Sequence, residues 1–136
     1  MRALDLIQRL RDIENRMDAA RAKVDVCKSI AEKATASLSG DRVSGNSTLT
    51  AHEDAIIRLM EAEKKYDELA LVYNQVMSDV IDRINHITNE DKRTVVVDVL
   101  FYRRSYRTIA KERHWSRNSV SRMFHDALKE MDRGIA

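Results

Sequence analysis

The sequence predicts an all-α protein, and three features lead to that fold class. The 136-residue chain has no proline and three glycines, so few residues oppose helix formation. Apolar residues recur at alternating spacings of three and four, which is typical of helices that pack side by side. No stretch alternates apolar and polar residues over the length of a strand. We therefore expect a long antiparallel helical hairpin over residues 1–87, followed by a three-helix module over residues 88–136.

Composition also limits the compartment and the class of protein. No stretch approaches the roughly 18 consecutive apolar residues of a membrane span, and charged residues begin at Arg2. We expect neither a signal peptide nor a membrane partner. A single cysteine, Cys27, excludes an internal disulfide framework and fits a reducing cytoplasm.

The first helix is predicted from an apolar repeat that runs from Ala3 to Leu38. The repeat holds for five heptads without a miss, which indicates a long helix packed as a coiled coil. Small residues in its second half let a partner helix approach closely or insert larger side chains. These residues are Ala20, Cys27, Ala31 and Ala34. We expect Cys27 to be a buried small residue and not a nucleophile.

A break in the repeat over residues 39–49 predicts the one extended loop of the chain. This stretch holds two glycines together with several Ser and Thr residues, which favour turns. We expect Val43 to pin the loop to the helix ends. Thr50 and Glu53 then have the spacing of a capping box, so the second helix is expected to begin there.

The second helix is predicted from a heptad stripe that runs from Ala55 to Val80. The short connection before it favours antiparallel neighbours. If facing residue numbers add to about 89, large side chains meet small ones along the seam, as close packing requires. The facing pairs are then Ala20 with Leu69, Val24 with Tyr66, and Ala31 with Leu59.

The second helix also carries more apolar residues off its main stripe than one partner helix can cover. They are Ile56, Ile57, Met60, Val72, Met77 and Ile81. Another surface is needed to cover them, either the C-terminal module or a second copy of the chain. We expect a homodimer in which residues 1–87 of two chains form a four-helix bundle.

The third helix is predicted over residues 90–102. Asn89 can cap it, and Glu90 and Asp91 lie at its positive end. The valine-rich segment 95–101 could instead be a short strand. We favour the helix, because a single strand would have no partner elsewhere in the chain. This helix is expected to be the scaffold for the two helices that follow.

Residues 105–128 predict a helix-turn-helix whose second helix lies in a DNA groove. Ser105 and Ser116 each precede a helical run and can cap it. The apolar face of the first helix consists of Ile109 and Ala110, and Trp115 is expected to plug the core after the turn. Residues spaced four apart form the inward face of the second helix, namely Val120, Phe124 and Leu128.

The charge of this segment indicates nucleic acid as the partner. Residues 103–129 contain eight Lys or Arg against two acidic residues, a net charge of +6, whereas residues 1–87 carry −2. Such asymmetry is typical of a protein that binds double-stranded DNA. The candidates for reading bases are Arg117, Asn118, Ser121, Arg122 and His125. The candidates for contacting phosphates are Arg104, Arg107, Lys111, Ser116 and Ser119.

The sequence shows no catalytic or metal-binding constellation, so we expect neither an enzyme nor a cofactor. The four histidines are far apart in sequence. The predicted helices bring no second His, Cys or carboxylate to zinc-ligand spacing beside any of them. Glycine-rich phosphate-binding loops are also absent from the sequence.

Residues 93–131 resemble region four of bacterial sigma factors of the sigma-seventy class. The marks of that region are Leu100, Tyr102, Ser105, Ile109-Ala110, Ser116, Val120 and Ala127-Leu128. The whole chain resembles small phage regulators of Gram-positive hosts related to the ArpU and RinA late-gene activators, which share a loop near Leu38-Ser39-Gly40-Asp41-Arg42-Val43. The resemblance implies an activator of phage late genes in the bacterial host cytoplasm, with host RNA polymerase as a further partner.

Three segments depart from the pattern of those families. The loop continues with Ser44-Gly45-Asn46 where Gln-Ser-Ser is usual, and only two residues separate Tyr102 from Ser105 where about five are usual. The turn has Arg113-His114 where leucine and glycine are common. Because His tolerates a positive φ better than most residues, we expect this turn to form.

The alternative function is a phage DNA-packaging adaptor similar to a small terminase subunit. Such subunits also join a helix-turn-helix to a helical hairpin, and they assemble into rings. They normally carry the DNA-binding part first, whereas here it comes last, which favours the regulator. A pure coiled-coil scaffold is a third interpretation, and the +6 segment is hard to reconcile with it.

Overall fold

The protein is all-α over the part of the chain that can be described, as the sequence predicts. The computed structural model describes the backbone of residues 1–40 and 45–133 and the side chains of residues 1–36 and 50–133. These residues contain no strand and form α1 (Ala3–Gly40), α2 (Gly45–Ile84), α3 (Glu90–Leu100), α4 (Tyr106–Arg113) and α5 (Arg117–Arg133). None of the described helices is long and apolar enough to cross a bilayer.

The chain packs as two compact units. One unit comprises Met1–Leu10 and Gln75–Ala136, so the start of α1 and the end of α2 belong with α3, α4 and α5. The other unit is Arg11–Asn74, which we call the hairpin stem.

The hairpin stem is an antiparallel pair of helices, as expected. Arg21 Nη2 donates to the Tyr66 hydroxyl at 2.8 Å, and Thr35 Oγ1 lies 3.4 Å from His52 Nδ1. The residue numbers of both pairs add to about 87, close to the register that large-to-small packing predicts. Two of the predicted facing pairs indeed line common depressions, namely Ala20 with Leu69 and Val24 with Tyr66.

The core of the hairpin stem is thin. Among its described residues only four apolar side chains are buried, and three of them are alanines: Ile13, Ala31, Ala55 and Ala62. Larger seam residues such as Tyr66 and Leu69 are half-buried, and so is Cys27, which was expected to be buried. Alanines bury little apolar area, so this pair of helices gains little hydrophobic stabilisation by itself.

The other unit holds the main core. Its apolar side chains come from the start of α1, the end of α2 and all three C-terminal helices. Those that are essentially inaccessible include Leu10, Val80, Ile87, Val95, Val96, Ile109, Val120 and Met131. α5 packs mainly against α3 and α4, which also contact each other.

An aspartate near the C-terminus caps the first helix. The backbone N–H of Ala3 donates to Asp132 Oδ1 at 2.6 Å, which satisfies a donor that the first turn of α1 leaves unpaired. Arg83 Nη1 lies 3.8 Å from the same oxygen. Nearby, Lys92 Nζ and Glu130 Oε1 are 4.0 Å apart. Polar contacts thus tie the end of α5 to α1, α2 and α3.

The predicted loop over residues 39–49 is too long. α1 continues to Gly40 and α2 begins at Gly45, so Thr50 lies inside a helix and does not cap it. Each further residue of an existing helix adds a hydrogen bond, and that gain outweighs the weak preference of Ser and Gly for turns. Residues 41–44, with Val43 and its expected contact, and residues 134–136 lie outside the described residues.

The valine-rich segment is helical, which confirms the preference for a helix over a strand. Asn89 Oδ1 accepts from the Lys92 N–H at 3.0 Å, so the predicted cap is also confirmed. The helix ends at Leu100 and not at Tyr102, because the backbone turns sharply at Arg103, whose φ is 52°.

Candidate nucleic-acid interface

The link between α3 and α4 is short and held by the backbone. Phe101 caps α3 by donating its N–H to the Val97 carbonyl. Arg103 adopts the left-handed conformation, and the Arg104 N–H then donates to the Asp98 carbonyl at 3.0 Å. These bonds fix where α4 begins relative to its scaffold helix.

α4 begins and packs as the sequence predicts. Ser105 has extended backbone angles, and its Oγ accepts from the Thr108 N–H at 3.1 Å, which is the geometry of a helix cap. Ile109 and Ala110 are both buried. The predicted apolar face of the first helix is therefore confirmed.

The turn before α5 depends on a left-handed histidine. His114 has φ 59° and ψ 36°, and its N–H donates to the Ala110 carbonyl. The Trp115 N–H donates to the same carbonyl at 3.0 Å. Trp115 is half-buried, with the Arg113 guanidinium 5.9 Å from the centre of its ring, so it plugs the core only partly.

The cap of α5 is confirmed, but one predicted core residue is wrong. Ser116 Oγ accepts from the Ser119 N–H at 3.1 Å. Val120 and Phe124 are buried, whereas Leu128 is half-buried, and the inward face continues through Ala127 and Met131. Eight residues of helix rotate about 80° past two full turns, so a strict four-residue spacing drifts off the inward face.

The candidate base-reading residues lie on the side of α5 that faces away from this core. Arg117, Asn118, Arg122 and His125 are exposed, and Ser121 is half-buried. Positions 118, 121, 122 and 125 follow helical spacing and share one face, with Arg117 at its edge. None of the five forms an ion pair with a residue that the structure describes. We call these five residues the reading face.

The candidate phosphate contacts fall into two groups. Arg107 and Lys111 are exposed on α4, four residues apart, and form no ion pair within the described part of the chain. Arg104, by contrast, is engaged: its Nη1 lies 2.7 Å from Glu112 Oε2 and 3.9 Å from Asp98 Oδ2. Its guanidinium also lies 5.6 Å from the centre of the Tyr102 ring.

The two serines proposed for phosphate contact are also engaged. Ser116 Oγ donates to Ser119 Oγ at 2.8 Å while it accepts the capping bond. Ser116 is exposed and Ser119 is half-buried. A hydroxyl oxygen has two lone pairs, so further contacts remain chemically available to them.

Sequence reasoning missed two residues that position this site. Tyr106 packs against Phe124 with ring centres 5.8 Å apart, and burial raises the pKa of its hydroxyl above the usual value of 10.0. Met131 is fully buried at the end of the inward face. Continuing the helical period from Val120 through position 127 to 131 would have found Met131.

Metal-binding groups and known relatives were both sought for this chain. Among the described residues, no three His, Cys, Asp or Glu side chains are grouped so that they could hold a metal ion. Comparisons with family models, with curated proteins and with solved structures found no match.

Proposed function

We propose that this chain is a transcription regulator that binds double-stranded DNA in a sequence-specific manner through α4 and α5. The main support for this proposal is that the reading face lies on a capped helix whose opposite side is buried. A helix of this kind can enter the major groove with its N-terminal turns toward the base edges. The net charge of +6 over residues 103–129 favours the same partner.

Each group of residues has a separate part in this mechanism. Arg107 and Lys111 on α4 contact phosphates, which sets the position of the module on DNA without reading its sequence. Asn118 can form two hydrogen bonds with adenine, and Arg117 or Arg122 can do so with guanine. Arg104 reaches a phosphate only by giving up Glu112, so its main role is to hold α4 against α3.

The biological role rests on the resemblance to the ArpU and RinA group. That resemblance supports a phage late-gene activator in the host cytoplasm, with host RNA polymerase as a further partner. It is independent of the geometry above, which supports DNA binding and not a particular gene.

The exposed apolar side chains off the main stripe of α2 support self-association through residues 1–87. Ile57 and Met60 are 52% and 64% exposed, and Ile56 and Ile81 are also exposed. Burying such side chains in a homodimer stabilises both partners. Light scattering should therefore give twice the chain mass of 15.7 kDa. A monomer at tens of micromolar would contradict the dimer.

The same exposed side chains leave a packaging adaptor as the second candidate, because a larger assembly would also bury them. Sedimentation separates the two functions. A dimer supports the regulator, whereas a ring of eight or more chains would indicate a small terminase-like subunit.

The proposal is tested by DNA binding across a range of salt concentrations. Fluorescence anisotropy with a labelled random-sequence duplex should give an affinity that falls steeply with salt. Arg107→Ala should weaken binding and lower the slope of the log–log plot by about one unit. Arg9→Ala, which changes an exposed arginine of α1, is the matched control and should leave the slope unchanged. A chain that binds no duplex at low salt would refute the function.

A further inference from the structure

A row of two depressions lies between α1 and α2 in the hairpin stem. The first has a volume of about 410 Å³ and is lined by Arg16, Ala19, Ala20, Lys23, Lys65 and Leu69. The second has a volume of about 250 Å³ and is lined by Cys27, Ile30, Ala51, Asp54, Ala55 and Arg58. On each helix the lining positions are separated by helical spacings of three, four or seven residues. They therefore lie on one face of that helix. We call the two depressions together the stem groove.

The floor of the stem groove is apolar and incompletely covered. Ala20, Leu69 and Cys27 are half-buried, although they lie on or beside the seam between the two helices. Ile30 is 50% exposed at one end, and Val26, one turn before it, is 58% exposed. The thin core of the stem is therefore open along this side, where an additional helix could complete it.

The rim of the first depression is positively charged. Arg16, Lys23 and Lys65 are exposed, and none forms an ion pair with a residue that the structure describes. Among the described residues that line this depression, none is acidic. Three exposed cations around an apolar floor complement a ligand with an apolar stripe and negative flanks.

We infer that the stem groove binds an amphipathic α-helix of a partner protein, one whose apolar stripe is flanked by Asp or Glu. From position 16 to position 30 the groove is about 21 Å long, which matches a helix of roughly four turns. A second copy of this chain in the same place would bring another set of these cations to the groove. Nucleic acid would meet the cations, but its phosphates offer nothing for the apolar floor.

Peptide binding to the full-length chain tests this inference. The probe is a fluorescein-labelled synthetic helix of about 18 residues, with leucines at heptad spacing and glutamates on both flanks. Its control replaces every glutamate with lysine. We expect the glutamate peptide to bind at least tenfold more tightly than the lysine peptide in fluorescence anisotropy. The double variant Lys23→Glu, Lys65→Glu should remove most of that difference.

The chain offers a matched control for the double variant. Lys28 and Lys64 are exposed lysines of α1 and α2, each one residue and about 100° away from a groove residue. Lys28→Glu, Lys64→Glu makes the same change in charge and should bind the glutamate peptide as the unmodified chain does. All four lysines are exposed, so circular dichroism should show both double variants folded.

Three results would overturn the inference. The first is equal affinity for the two peptides. The second is a groove variant that loses its self-association, which would assign the groove to a second copy of the chain. The third is a groove variant that loses DNA affinity and keeps its peptide affinity, which would assign the cations to phosphates.

Discussion

Arg104→Ala distinguishes the phosphate contact expected from the sequence from the structural tie seen in the fold. In the structure its guanidinium joins Glu112 of α4, Asp98 of α3 and the Tyr102 ring. The Glu112 partner is 49% exposed, so that ion pair contributes no more than about 1 kcal/mol. Asp98 is only 9% exposed, and its Oδ2 is buried without a hydrogen-bond partner among the described residues.

The larger part of the effect comes from Asp98. Removing the partner of a fully buried charge costs roughly 3–5 kcal/mol, but Arg104 is 40% exposed and solvent weakens the pair. We therefore expect Arg104→Ala to lower the free energy of unfolding by about 2 kcal/mol. Glu112→Gln should lower it by less than about 1 kcal/mol, since it removes only the exposed pair.

Urea denaturation and the salt dependence of DNA binding measure the two roles separately. Arg107→Ala is the control, because it should change stability by less than about 0.5 kcal/mol and lower the salt slope by about one unit. Arg104→Ala should show the reverse, with lower stability and a nearly unchanged slope. If Arg104→Ala keeps its stability and lowers the salt slope, the side chain is a phosphate contact and its ion pairs do not stabilise the fold.

Substitutions at three further residues probe other contacts of the fold. Asp132→Ala should lower the free energy of unfolding by about 1 kcal/mol in urea denaturation, because the Ala3 N–H loses its cap. An unchanged midpoint would show that this bond does not stabilise the fold. His114→Gly should keep or raise the free energy of unfolding, whereas His114→Val should lower it by about 1–2 kcal/mol. The reason is that a β-branched residue opposes the left-handed conformation. Equal stability of the two variants would contradict an energetic cost of that conformation. The pKa of Tyr106 is raised on folding, so ionisation opposes the folded state and stability falls as pH rises above about 10. Tyr106→Phe should reduce that alkaline loss, and an identical alkaline transition would show that other groups cause it.

Local patterns predicted most of the helices correctly. Heptad spacing gave the antiparallel pair and its register to within about two residues. The serines before α4 and α5 gave both caps, because a cap is a bond between residues three apart in sequence. His114 was expected in the left-handed turn on its tolerance of positive φ, and it adopts that conformation.

The remaining features depend on contacts that sequence spacing does not reveal. Asp132 caps a helix that begins 129 positions earlier, and no local pattern contains that pairing. The tie between Arg104 and Asp98 depends on the left-handed turn at Arg103, which only the folded link shows. The loop was predicted too long because Ser and Gly preferences were given more weight than helix propagation.

Asn118→Ala and Arg122→Ala test the proposal that α5 reads base sequence. The preferred duplex would first be selected from a random pool, and both variants would then be measured on it and on a scrambled duplex. We predict a loss of about 1–3 kcal/mol on the preferred duplex and much less on the scrambled one. The control, Arg107→Ala, should lose the same amount of binding free energy on both duplexes. Equal losses for Asn118→Ala and Arg122→Ala on the two duplexes would contradict the claim and show that α5 contacts only the DNA backbone.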